Sequence, residues 1–221
     1  MTAAIIPHYH VARRGNLSSI VEALDDSKQF DEVIIFNNHE DDLYIPGVTV
    51  INSGRNFGSI ARYGIAVVSE HQRFLFQDDD LIIPPTSVQI LMSELDANLD
   101  SIVGILGMQL GEARPYLDRL SIDGRKAGKT EVDVLLGRVK CLSMETLIRG
   151  LELMSRINFK LCRNQEDIPL GIANKSKGNK NFVVNAPFIE LDHGTEGLSY
   201  MSNHFTDRDL LAKACLEEVR K

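Results

Sequence analysis

An apolar strand pattern runs directly into three carboxylates in the segment Arg73-Phe74-Leu75-Phe76-Gln77-Asp78-Asp79-Asp80. Adjacent carboxylates repel one another, so such a run is tolerated where a cation or solvent neutralises it. On extended backbone, residues i and i+2 point the same way, which predicts that Asp78 and Asp80 share a face. Carboxylate oxygens suit Mg²⁺ or Mn²⁺, whose remaining positions are filled by water and substrate phosphate. We therefore expect a divalent-cation site here, and the alternative is a solvated acidic turn.

Strands and helices alternate along the first half of the chain. The strands are short apolar runs, whereas apolar residues recur at i, i+3, i+4 and i+7 in the helices. This alternation predicts an α/β fold with a mostly parallel central sheet flanked by helices. The predicted strands are Ala3–Pro7, Glu32–Phe36, Val48–Ile51, Arg73–Gln77 and Ile102–Leu106. The first predicted helix follows Asn16 as its cap, the second occupies Phe57–Ser69, and the third begins at Pro85–Thr86.

The second half of the chain is less regular, and the whole of 1–221 is predicted to form a single domain. Gly111–Lys129 is polar and rich in glycine, which indicates a mobile loop or flap. Thr206-Asp207-Arg208-Asp209 is typical of a capping box that opens a C-terminal helix. The other predicted elements are strands at Val132–Leu142 and Phe182–Asn185, a short helix at Ser143–Leu151, and a helical turn at Asp167–Ala173.

Composition excludes several classes of protein. The net charge of -7 and the pI near 5.4 argue against binding to nucleic acid or to an anionic membrane, which requires a basic surface. Cys141, Cys162 and Cys215 are too few and too scattered for a disulfide framework or a zinc site. No apolar run approaches the roughly 18 to 20 residues that span a bilayer, and no signal peptide is recognisable. We expect a cytoplasmic protein, or one of the Golgi lumen if a native anchor was removed.

Polar groups follow four of the predicted strands. Because ligands bind beyond the carboxyl ends of strands in open α/β sheets, these groups mark the expected site. Structural alternatives are a simple turn at the asparagines and a plain strand-to-helix connection at the glycine-rich segment. The four groups are His8 to Arg14, Asn37-Asn38, Gly54-Arg55-Asn56 and Asp78-Asp79-Asp80.

The triple aspartate resembles the Asp-x-Asp motif of GT-A glycosyltransferases, and more narrowly the catalytic domain of the exostosin-like family. Four further segments resemble that family in the same order along the chain. They are Ile35-Phe36-Asn37-Asn38, then Asn164-Gln165-Glu166-Asp167-Ile168, then Gly197-Leu198-Ser199, and finally His204, Arg208 and Cys215. Separately, Gly54-Arg55-Asn56-x-Gly58 resembles the helix-opening segment of the large inverting GT-A family.

The resemblance implies a nucleotide-binding half at about 1–107 and an acceptor-binding, catalytic half at about 108–221. It implies Mn²⁺ or Mg²⁺ as cofactor, held by Asp80, Asp78 and His204. The implied catalytic residues are Asp167, Glu166 and Arg208. The nucleotide-sugar-binding residues are then Pro7, Arg13, Arg14, Asn37, Asn38, Arg55, Asn56, Arg62, Asp78 and Asp79. The chain departs from the family after Pro7, which leaves open whether Arg13 or Arg14 meets the nucleotide.

The implied reaction is transfer of a hexose or N-acetylhexosamine from a nucleotide diphosphate sugar, with UDP favoured, to a hydroxyl acceptor. Exostosin-like enzymes retain the anomeric configuration, and a positively charged sugar would then be stabilised by Asp167. In an inverting enzyme Asp167 would instead act as general base. A sugar-1-phosphate nucleotidyltransferase is disfavoured because no glycine-rich loop follows the first strand. A catalytically inactive nucleotide-sugar-binding domain is the non-enzymatic alternative.

Overall fold

The computed structural model describes residues 1–191 and 203–221, and within them a large mixed sheet forms the centre of the molecule. Its strands lie in the order β3-β2-β1-β4-β11-β6-β12-β9. The strands are β1 (Thr2–His8), β2 (Glu32–Asn37), β3 (Thr49–Asn52), β4 (Arg73–Gln77), β5 (Leu81–Ile82), β6 (Ile102–Gly104), β7 (Leu106–Gln109), β8 (Leu120–Asp123), β9 (Thr130–Val132), β10 (Val134–Leu135), β11 (Val139–Ser143), β12 (Asn181–Val183) and β13 (Ile189–Glu190).

The first four strands of this sheet are parallel, as predicted, and the later part is mixed. β3, β2, β1 and β4 all run the same way. β11 then enters antiparallel between β4 and β6, and β12 pairs parallel with β6. Two small sheets, β10-β7-β8 and β13-β5, lie beside the large one.

Helices cover both faces of the large sheet. They are α1 (Asn16–Asp26), α2 (Ala61–Val68), α3 (Pro85–Ala97), α4 (Gly124–Ala127), α5 (Met144–Arg156), α6 (Asp167–Ser176) and α7 (His204–Glu218), with 3₁₀ turns at Val11–Arg13 and Phe159–Cys162. Phe74 and Phe76 of β4 pack into the core that includes α2, α5 and α7, whereas Leu75 packs into the core formed with α1 and α3. Both faces are therefore buried, which is why β4 is almost continuously apolar. Among the described residues no helix is long and apolar enough to cross a membrane.

Two predicted helix caps are wrong because each of these residues lies within its helix rather than before it. Asn16 is the first residue of α1, and its amide donates to the Asp79 carbonyl at 3.0 Å instead of capping the helix. α7 begins at His204 after Asn203, so Thr206 lies inside the helix and forms no capping box. The predicted Gly197-Leu198-Ser199 motif lies outside the described residues.

Other helix and strand boundaries differ from the predicted ones, in part because backbone amides form hydrogen bonds with distant segments. Gly111–Lys129, predicted to be a loop, contains β8 and α4. The predicted strand at Val132–Leu142 is three strands, β9 to β11. α2 starts four residues later than predicted, because the Ser59 and Ile60 amides donate to Asn164 and Arg163 rather than within a helix.

Candidate active site

A cavity of about 560 Å³ opens at the carboxyl ends of β1, β2 and β4. This position and size are typical of ligand sites in α/β proteins. The opposite wall is formed by the segment before β8 and by the first turn of α7. Of the predicted site residues, those that line the cavity are Pro7, Arg13, Asn38, Asn56, Arg62, Asp78, Asp79, Asp80, Asp167, His204 and Arg208.

Asp79 is the most deeply held of the three aspartates. It is 4% exposed, and its carboxylate meets His8 Nδ1 and Arg13 Nη1, each at 2.8 Å. Burial alone would raise the pKa of Asp79, but the hydrogen bonds from His8 and Arg13 outweigh it and the pKa falls below its usual value. Asp79 therefore ties the loop after β1 to the end of β4 as an ionised group.

Asp78 pairs with the buried Arg62. Arg62 Nη1 donates to Asp78 Oδ1 at 2.9 Å and to the Gly137 carbonyl at 3.1 Å, while Arg62 Nε donates to the Ser59 carbonyl at 3.1 Å. Burial raises the pKa of Asp78 to about 6; Arg62 opposes the rise, and the neighbouring Asp79 and Asp80 add to it. Negative charge at Asp78 is thus incompletely balanced by the protein.

Asp80 lies close to two arginines, Arg138 and the same Arg13 that contacts Asp79. Arg138 Nη2 donates to Asp80 Oδ1 at 3.0 Å, and Arg13 Nη1 lies 3.4 Å from Asp80 Oδ2. Arg138 also holds Glu190 through two hydrogen bonds of 2.7 and 2.9 Å. Each of the three aspartates thus contacts a guanidinium group, and the triplet does not form a solvated turn.

Asp167 opens α6 and forms a buried ion pair with Arg208. Arg208 Nη2 lies 2.5 Å from Asp167 Oδ2, and both side chains are almost fully buried. Burial would raise the pKa of Asp167, but the charge of Arg208 and that of Lys140 lower it overall. Asp167 is therefore a fixed anion on the cavity wall.

Four predicted residues lie outside the cavity lining: Glu166, Asn37, Arg55 and Arg14. Glu166 accepts from the Ser59 hydroxyl and lies 3.5 Å from Arg62 Nε, so it supports the cavity from behind. The Asn37 amide donates to Asn52 Oδ1 and to the Asp41 carbonyl, which fixes the connection after β2. The Arg55 guanidinium lies over the Phe57 ring, 4.3 Å from its centroid. Of the two adjacent arginines, Arg13 reaches the aspartates.

Several residues of the site escaped the sequence reasoning. His8 was included in the polar group after the first strand but was given no role, and it ends β1 fully buried against Asp79. Arg138 lies between β10 and β11, and the prediction of one continuous strand there concealed it. Tyr116 and Arg119 fell in the supposed flap and line the cavity. The fully buried Lys140 gave no signal beyond a charge inside an apolar run, which is itself a rare combination.

The described residues contain no group of three or more His, Cys, Asp or Glu side chains arranged to hold a metal ion. Asp78 and Asp80 nevertheless present carboxylate oxygens to the cavity. Mg²⁺-type sites commonly use one or two carboxylates and complete their shell with substrate phosphate and water. His204 also lines the cavity, but in this structure it does not form with Asp80 and Asp78 the three-residue ligand group that the sequence resemblance implies. The two carboxylates therefore fit a hard divalent cation that is shared with a ligand.

Known proteins resemble this chain in structure but not in sequence. No protein-family model matches the chain, and no curated protein matches its sequence. Among solved structures, the chain is similar to GalNAc-T7 crystallised with UDP, GalNAc and Mn²⁺, at a TM-score of 0.69 and 9% sequence identity. The match covers 100% of this chain and 50% of that one, so the chain spans half the length of this structural relative. The narrower exostosin-like resemblance is not confirmed. The chain has the GT-A glycosyltransferase fold, a single α/β domain around a large, mostly parallel sheet.

Proposed function

We propose that this chain is a metal-dependent glycosyltransferase that takes a sugar from a nucleotide diphosphate sugar, with UDP the favoured nucleotide. The observation that carries the proposal is the set of three aspartates after β4, which face a cavity of about 560 Å³ together with paired arginines. The GT-A fold supports it, and GalNAc-T7, which shares that fold, was crystallised with UDP, GalNAc and Mn²⁺. The transferred sugar is a hexose or an N-acetylhexosamine, and the acceptor is a hydroxyl group.

Donor binding is assigned to the wall formed by β1, β2 and β4. Asp78 and Asp80 would hold Mn²⁺ or Mg²⁺, and a bound cation would offset the charge on the diphosphate leaving group. Arg13 and Arg62 already contact these aspartates and would be shared with the diphosphate oxygens. Asn38 and Asn56 line the cavity next to Pro7, and we assign them to the nucleoside.

The pairing of Asp167 favours retention of anomeric configuration over inversion. A general base works best with a pKa near the operating pH, whereas Arg208 holds the pKa of Asp167 below its usual value. A permanently ionised carboxylate is better suited to stabilising positive charge on the sugar. We therefore assign Asp167 to that role and Arg208 to orienting it. NMR of the product anomer tests the assignment, and an inverted anomer would restore Asp167 as the base.

Calorimetry tests the central proposal. UDP, GDP and dTDP are titrated into wild type with Mn²⁺ and with EDTA, and into Asp80→Ala. Asp96→Ala is the matched control, because Asp96 pairs with Arg73 on the surface away from the cavity. Metal-dependent UDP binding that is lost only in Asp80→Ala is the expected result. Equal binding by Asp80→Ala, or no binding of any nucleotide by wild type, would overturn the proposal.

A second measurement separates an enzyme from an inactive nucleotide-sugar-binding domain. Wild type is incubated with UDP-hexoses and Mn²⁺ in the absence of acceptor, and release of UDP is followed. Slow release that is lost in Asp167→Asn supports transfer chemistry. Tight UDP binding without any release would instead favour the inactive domain.

A further inference from the structure

One arginine on the cavity wall differs from the others. Within the described residues, Arg13, Arg62, Arg138 and Arg208 each pair with a carboxylate. Arg119 also lines the cavity, but no carboxylate in the described part of the chain pairs with it. The lining thus contains five arginines against the four carboxylates of Asp78, Asp79, Asp80 and Asp167.

Within the described residues, the Arg119 guanidinium is held in place by aromatic rings and a backbone carbonyl rather than by a counter-charge. It lies over the rings of Tyr116 and Phe205, at 4.5 and 4.8 Å from their centroids, and these rings are stacked on each other. Nη1 donates to the Tyr116 carbonyl at 2.8 Å, and no other hydrogen bond of this guanidinium is made within 1–191 and 203–221. Four of its five N–H groups therefore have no acceptor in the described part of the chain and can meet a ligand.

Hydrogen bonds to α7 hold the segment beneath this arginine. The Asp209 carboxylate of α7 accepts from the Tyr116 and Leu117 amides, at 2.9 and 3.2 Å, which fixes the segment before β8 to the helix. Arg208 lies over the same Tyr116 ring at 4.5 Å. A planar guanidinium oriented in this way is suited to two-point binding of a phosphate or carboxylate.

We propose that Arg119 is an oxyanion-binding residue and that a substrate in this cavity presents a phosphate or carboxylate group to it. The oxyanion comes either from the diphosphate of the donor or from an acidic group on the acceptor. The proposal deepens the proposed function and in that respect rests on it, although oxyanion binding itself can be measured without metal or nucleotide.

The test uses Arg119→Gln, with Arg114→Gln as a matched control. Arg114 pairs with Asp118 on the exposed surface and does not line the cavity. Inorganic phosphate is titrated into ¹⁵N-labelled protein in EDTA, and binding is followed by NMR. We expect Arg119→Gln to weaken phosphate binding about tenfold or more, since a charge-assisted pair is lost, and Arg114→Gln to leave it unchanged. Equal phosphate affinity in wild type and Arg119→Gln, or an equal loss in Arg114→Gln, overturns the proposal.

Two further titrations distinguish the source of the oxyanion. If UDP with Mn²⁺ also binds about tenfold more weakly to Arg119→Gln, the group is the donor diphosphate. If UDP binding is unchanged but glucose 6-phosphate, compared with glucose, loses affinity for the UDP-saturated variant, the group belongs to the acceptor. A wild type that binds phosphate through Arg119 but never binds UDP would refute the proposed function and leave this inference standing.

Discussion

Replacing Asp78 with asparagine should make the stability of the metal-free protein less dependent on pH. The Asp78 carboxyl adjoins Asp79 and Asp80 on the cavity wall and pairs with Arg62. Its pKa is raised from 3.8 to about 6, chiefly by burial. Asparagine keeps the shape of the side chain and an oxygen for Arg62, but it does not ionise.

The magnitude follows from the pKa difference between the folded and unfolded states. A rise of about two units corresponds to about 3 kcal/mol, at about 1.4 kcal/mol per unit. The folded state binds the Asp78 proton more tightly than the unfolded state. This contribution to stability is therefore complete below about pH 4 and is lost as the pH rises through 6.

Urea unfolding in EDTA, followed by circular dichroism at pH 4, 5, 6 and 7.5, measures this contribution. Between pH 4 and pH 7.5 the wild type should lose about 3 kcal/mol relative to Asp78→Asn, because the variant removes the carboxyl whose pKa is raised chiefly by its own burial. The exposed Asp96→Asn serves as control. If the free energies of unfolding of wild type and Asp78→Asn change with pH in parallel, within about 1 kcal/mol, the pKa of Asp78 is not raised in the folded protein.

Three further substitutions have defined expectations. Gly58→Ala should cost about 2–4 kcal/mol in urea unfolding, because φ is +85° and a Cβ would lie 2.4 Å from Arg163 Cγ. Arg208→Leu should cost about 3–5 kcal/mol by the same measurement, since it leaves the buried Asp167 carboxylate without its partner. Asp209→Ala should speed amide hydrogen exchange in the segment before β8 and cost about 1–3 kcal/mol, because two backbone amides lose their acceptor.

A control variant or a contradicting result can be named for each of these three substitutions. Gly15→Ala, where a Cβ would meet nothing within 4 Å, should be nearly neutral, and an equal loss there would remove the steric argument for Gly58. The double variant Asp167→Asn/Arg208→Leu should recover part of the stability lost in Arg208→Leu. Additive losses would mean that the pair is not coupled. Unchanged exchange in Asp209→Ala would show that the segment is held by other contacts.

The parts of the fold set by local pattern could be predicted from the sequence. β4 was predicted at Arg73–Gln77 and is found there, and α3 begins at Pro85 as expected. A continuous apolar strand and a proline at the first helical position are local signals. The sequence also predicted the edge of the sheet at which the aspartates lie, because the carboxyl ends of parallel strands are on the same side of a sheet.

The remaining features depend on contacts between residues far apart in the chain. The sequences of β11 and β4 do not show that the two strands are neighbours, since strand pairing is decided only when the sheet assembles. Asn16 failed as a cap because the Asp79 carbonyl, 63 positions away, took its amide. Arg119 was missed because its significance depends on the absence of a carboxylate partner among the described residues, and only the assembled cavity shows this.

The position of β11 has a consequence for synthesis of the protein. A ribosome-bound chain of residues 1–107 already contains β4 and β6, yet these strands do not pair with each other, because β11 at Val139–Ser143 separates them. Until that late segment emerges, both nascent strands carry unsatisfied edges that can template intermolecular pairing. We therefore expect residues 1–107, which the sequence analysis assigned to nucleotide binding, not to fold on their own, so that a fragment cut at residue 107 should require a chaperone or aggregate.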